Sequence, residues 1–163
     1  MSASNHNIGN AGEFYVLAQL SQRGIIAGKT DDGQTLIDII ATDPVSLETV
    51  NIQVKTRGRD GDGWLMSAKN EKAYQSLWYV LVQLNGTDLI PDFYVFHSNV
   101  VGPWIQRDHE NWLLEPKRDG SAKKNTAMRR FRPTPEDLRV AKNNWQAMFP
   151  AACFTAPATP PPA

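Results

Sequence analysis

Two short apolar runs set the pattern of this chain. Leu36-Ile37-Asp38-Ile39-Ile40-Ala41 and Val50-Asn51-Ile52-Gln53-Val54-Lys55-Thr56 are rich in β-branched residues and bounded by turn formers, Gly33 before the first and Asp43-Pro44 between them. They predict an antiparallel strand pair turning near Val45 to Leu47. Upstream, residues 11–23 carry a helical pattern: on a wheel of 100° per residue, Leu17 and Leu20 fall beside Glu13, with Val16 a little further round. Gly24 ends that helix and Ile25-Ile26-Ala27 opens a short strand. Residues 28–34 then read as a loop, in which Asp31 and Asp32 are turn formers ahead of Gly33.

Downstream, residues 64–67 predict a strand and residues 70–76 a short helix. The nearly continuous apolar run 77–84 suits a central strand covered on both faces. Asn85-Gly86 supplies a turn, and residues 93–96 give another strand. Ser98 caps a helical turn, and residues 106–114 predict a second short helix whose Trp112, with Trp104, closes the core. Thr134-Pro135-Glu136-Asp137 starts a helix running to about Phe149, with Leu138, Ala141, Trp145 and Met148 or Phe149 along one side. The sum is an α/β protein with a mixed sheet of about five or six strands, flanking helices and a C-terminal helix.

The same pattern divides the chain into a flexible N-terminus (1–10), a core (11–116), a basic arm or loop (117–133), the helix (134–149) and a Pro/Ala-rich tail (150–163) expected to be disordered. At 163 residues it is the size of one ordinary domain. Neither a signal peptide nor a membrane span is visible. The single cysteine, Cys153, excludes an intramolecular disulfide and a cysteine-based zinc cluster, which points to a cytoplasmic protein.

Charge changes the picture more than composition does. The formal net charge is zero, yet residues 1–116 hold 8 Lys/Arg against 14 Asp/Glu, and residues 117–163 hold 9 against 3. An acidic core can hold a cation, and a basic C-terminal quarter can meet phosphates. Within that quarter, Lys123, Lys124, Arg129, Arg130 and Arg132 make either a phosphate-binding arm or a solubilising loop. Arg57 and Arg59, in the glycine-rich segment after Lys55, are placed to hold backbone phosphates or form a solvated turn. Lys69, Lys72 and Gln75 lie on the short helix expected beside the sheet, where an exposed face is either solvated or in contact with nucleic acid.

Three of the polar residues in the strand pair stand out: Asp38, Gln53 and Lys55. Residues two apart on a strand share a face, and so do cross-strand partners, so all three converge on one patch while Ile37, Ile39, Ile52 and Val54 turn to the other side. Glu13 sits inside the apolar stripe of its helix. It is either a half-exposed acid helped by the helix dipole or a fourth member of the patch. No His pair has metal-ligand spacing, and no Ser-His-Asp or Cys-His set is apparent. These absences favour a carboxylate-based site; the bland alternative is an Asp38–Lys55 salt bridge on a solvated face.

Glu13 on a helix, Ile37-Asp38 on one strand and Gln53-Val54-Lys55 on the next resemble the PD-(D/E)XK nuclease superfamily over roughly residues 9–97. Ile37 stands where the name motif has Pro, and Gln53 where it usually has an acid. The resemblance implies a restriction-endonuclease-like core and a metal-dependent endonuclease hydrolysing phosphodiester bonds. Glu13, Asp38, Gln53 and Lys55 would be catalytic. Of these, Asp38, Gln53 and Glu13 would hold Mg2+, with Mn2+ as a substitute, and Lys55 would orient the attacking water. DNA ahead of RNA is the implied partner, and pairing into a homodimer is common among small nucleases of this class. The alternative is a nuclease-fold module without turnover that binds nucleic acid or assembles with other proteins.

Overall fold

The computed structural model describes residues 5–31, 36–152 and 154. Five strands form a mixed sheet: β1 (Ile26–Lys29), β2 (Ile39–Thr42), β3 (Thr49–Arg57), β5 (Leu77–Gln83) and β6 (Asp92–His97), adjacent in that order. All neighbours are antiparallel except β3 and β5, which run parallel from Asn51↔Leu77 to Arg57↔Gln83. A second, two-stranded sheet pairs β4 (Trp64–Ser67) with β7 (Met128–Phe131). Helices α1 (Asn5–Gln22), α2 (Ser98–Leu114) and α3 (Pro135–Ala141) complete the fold. No helix among the described residues is long and apolar enough to cross a membrane.

The predicted hairpin is present. Ile39 pairs with Ile52, and the turn is built on Asp43, whose carboxylate accepts from Val45 N, Ser46 N and Ser46 Oγ. Two cores follow from the alternation of β5 and β6. On one face Ile52 and Val54 pack with Val16 and Leu20 of α1 and with Val80, Val82 and Val95. The opposite face of β5 and β6 carries Tyr79, Leu81 and Phe96, covered by Ile105 of α2 and by Trp64 and Phe131 of the small sheet.

Several sequence-based boundaries are corrected. Helix α1 begins at Asn5, so residues 5–10 are helical where a flexible lead-in was expected; Asn10 and His6 hydrogen-bond across one turn there. Gly24, at φ +76°, ends it as predicted. The main sheet excludes β4, which turns away to the small sheet. Residues 70–76 do not form a helix: there is only a 3-10 turn, Ala68–Glu71.

The two short helices expected between Ser98 and Leu114 are one helix with Pro103 inside it. Gly102 lies so close to the 3-10 turn that a Cβ there would be 2.4 Å from Glu71 O. Trp104 packs on the second core, but Trp112 is partly exposed and stacks on His109.

The basic segment is not a free arm. Its residues 128–131 are strand β7, and Phe131 is buried. The C-terminal helix is shorter than expected. Thr134 caps α3 and forms a capping box with Asp137, but the helix stops at Ala141. Lys142 then bridges to Tyr94 and Asn143, at φ +52°, donates its N–H to Phe93 O, which carries the chain over the β6 edge. Leu138 and Ala141 therefore pack on the second core, whereas Trp145, Met148 and Phe149 pack on the α1 core. Cys153 and the expected disordered stretch 156–163 lie outside the described residues, as does Asp32.

Candidate functional site

Helix α1 reaches the sheet through a glycine. A Cβ on Gly12 would stand 1.9 Å from Thr56 Oγ1, so only glycine lets the helix lie this close to the end of β3. The next residue, Glu13, is thereby carried to the strand pair. Its Oε2 lies 2.7 Å from Lys29 Nζ at the end of β1.

Asp38 stands one residue before β2, yet the ladder holds it: its N–H donates to Ile52 O at 2.9 Å, and its carbonyl accepts from Thr30 N. One residue back from the Ile39/Ile52 pair, it falls beside Gln53 as the period of the strands required. Its Oδ2 accepts from Val54 N at 2.7 Å, which fixes the carboxylate. Burial pushes the Asp38 carboxyl above the usual range and the nearby Glu13 charge adds to this, against the Val54 N–H and the charges of Lys55 and Lys29. Lys55 is pulled below the usual lysine range by burial, against the attraction of Asp38 and Glu13. The structure thus brings Glu13, Asp38 and Lys55 within electrostatic reach of one another in a partly desolvated place.

Gln53 is buried and turned to a different partner. Asn70 Nδ2 donates to Gln53 Oε1 at 2.6 Å and to the Tyr79 hydroxyl at 3.1 Å. Asn70 Oδ1 in turn accepts from Ser67 N at 2.8 Å. Among the described residues no group of three His, Cys, Asp or Glu side chains can hold a metal. Glu13 and Asp38 fit a hard divalent cation, being oxygen donors whose mutual repulsion a cation would relieve.

The expected phosphate-binding residues divide. Arg57 is engaged internally: its guanidinium lies 3.8 Å over the Trp64 ring and donates to Gln83 Oε1 and Gly61 O. Arg129 is buried, paired with Glu71 and donating to the carbonyls of Thr126 and Met128. Arg130 and Arg132 pair with Asp62, and Lys123 pairs with Glu115 and covers the Trp112 ring. Arg59, Lys69, Lys72, Gln75 and Lys124 are exposed, Lys72 lying 5.0 Å over Tyr74.

Sequence reasoning missed Lys29, Asn70, Tyr79 and the Gly12–Thr56 contact. Tyr79 alone carried a signal, as the polar tip within the apolar run 77–84 that pairs with β3 at Gln53. Asn70 sits in a polar stretch with nothing to mark it.

The sequence matches no known protein family and no curated protein. Among solved structures, the fold is similar to that of a bacterial homing endonuclease, I-Ssp6803I, with a TM-score of 0.51 and 12% identity over 90% of this chain and 93% of that one. At that identity the likeness is one of fold, and the chain has a nuclease-like α/β fold.

Proposed function

We propose that this protein is a metal-dependent endonuclease that hydrolyses phosphodiester bonds of DNA, with a PD-(D/E)XK core spanning residues 11–116. The observation that carries the reading is the meeting of Glu13, Asp38 and Lys55 at one partly desolvated place, on a fold similar to that of a homing endonuclease. Glu13 and Asp38 would hold Mg2+, or Mn2+ in its place. Such an ion supplies charge compensation at the phosphate and a more acidic water. Val54 N–H keeps the Asp38 carboxylate aimed. Lys55 orients the attacking water and opposes negative charge as it develops. Arg59, Lys69, Lys72, Gln75 and Lys124 are the groups proposed to meet the DNA backbone.

One observation favours a second reading, a nuclease-fold module that binds nucleic acid without cutting it. Among the described residues no third acid joins Glu13 and Asp38, and Gln53 turns its oxygen to Asn70. Cleavage of labelled single- and double-stranded DNA by wild type and Lys55→Ala, with Mg2+, Mn2+ or EDTA, separates the two. Metal-dependent cutting lost in Lys55→Ala supports the enzyme. Equal binding by both proteins with no cutting on any substrate supports the binding module.

A further inference from the structure

Gln53 occupies the position at which the resemblance expects a metal ligand, and the structure fixes which way its amide points. The backbone N–H of Ser67 is only a donor, so the Asn70 atom 2.8 Å from it is the acceptor Oδ1. The other branch of the Asn70 amide is therefore NH2. Its two hydrogens are accounted for by Gln53 at 2.6 Å and Tyr79 at 3.1 Å. The Gln53 atom facing Asn70 must accept, so it is the carbonyl oxygen, and the Gln53 NH2 lies on the branch turned away. Asn70 is 1% exposed, so water does not compete for these bonds.

We propose that Asn70 is a positioning residue which holds Gln53 as a hydrogen-bond donor to a non-bridging oxygen of the substrate phosphate, and that Gln53 is not a metal ligand. This deepens the nuclease reading and rests on it. A glutamine there is then not a weakened acid. It is a neutral donor that can approach a phosphate without the repulsion a carboxylate would bring, and Asn70 prevents it from turning over. Tyr79, accepting from the same Asn70 amide, ties the arrangement to β5.

Three variants test this: Gln53→Met, Asn70→Ser and the double variant, each checked for a wild-type melting transition. Mn2+ affinity is measured by calorimetry without DNA. The Gln53 side-chain NH2 resonances, assigned by their loss in Gln53→Met, are followed as a short mixed-sequence DNA duplex is added in Ca2+. Neither measurement needs turnover.

The expected result is Mn2+ affinity within about twofold of wild type in Gln53→Met, with NH2 resonances that shift on adding duplex and shift far less in Asn70→Ser. Cleavage in Mg2+ should fall roughly a hundredfold in Gln53→Met, as when one donor to a developing charge is removed. It should fall no further in the double variant, since a positioning residue has no effect once the group it positions is gone. Mn2+ affinity lowered tenfold or more in Gln53→Met, on the scale of a lost metal contact, would overturn the proposal, as would NH2 resonances that ignore the duplex. Losses that multiply in the double variant would make Asn70 merely structural. A wild type that binds duplex but never cuts overturns the nuclease reading instead, and the resonances still judge the Gln53 contact.

Discussion

The Lys29 ammonium lies 2.7 Å from Glu13 Oε2, so the last residue of β1 neutralises the acid that α1 brings to the strand pair. A cation bound there competes with Lys29 for the same oxygen. Lys29→Met should therefore raise Mn2+ affinity roughly three- to tenfold, the size expected of a partly screened ion pair. Calorimetric titration reads this directly, and unchanged affinity would place Glu13 outside any metal site.

The Asp38 carboxyl, raised above its ordinary value of 3.8 by burial and by Glu13, gives the fold a pH signature. A native carboxyl of raised pKa binds more protons than the unfolded one between the two pKa values, so stability from this group falls as pH rises through that interval. The urea midpoint of wild type should drop relative to Asp38→Asn as pH rises from about 3.8, because the amide does not titrate. A constant difference across that range would sink the assignment.

Gly12→Ala should destabilise the protein by about 1–3 kcal/mol through overpacking, since its Cβ would fall 1.9 Å from Thr56 Oγ1. Thr56→Ala removes that oxygen, which is buried without a hydrogen-bond partner. The double variant should recover part of the loss in chemical denaturation. If the two costs simply add, the helix is not seated on this contact.

Arg129 and Lys72 should part company when each is replaced by Ala. Arg129 is buried and paired with Glu71, so its loss leaves an uncompensated acid and should cost about 3–5 kcal/mol of stability. Lys72 is exposed, and its loss should leave the melting transition unmoved while reducing the log–log salt slope of duplex binding by about one. An Arg129→Ala protein of wild-type stability with weakened duplex binding would return Arg129 to the interface.

How much of this was legible in the chain depended on distance. Asp38, Gln53 and Lys55 follow from a period of two within one hairpin, and Glu13 from the helical wheel, so local geometry sufficed to place them on facing sides. The basic run misled because the acids that neutralise it are remote: Asp62 lies 70 residues before Arg132, and Glu71 58 before Arg129. Charge counted along the sequence cannot see such pairs. The C-terminal stripe misled differently. Leu138, Ala141 and Trp145 keep helical spacing, but the β6 edge intervenes and redirects the chain at Asn143.

That passage over the β6 edge has a consequence for how the molecule comes apart. Because a single stretch seals both sides of the sheet, with Ala141 on one and Trp145 and Phe149 on the other, peeling it away would uncover two interiors together. Neither half should then show a melting transition of its own. The layers are joined at a seam, and unfolding across it should be all-or-none.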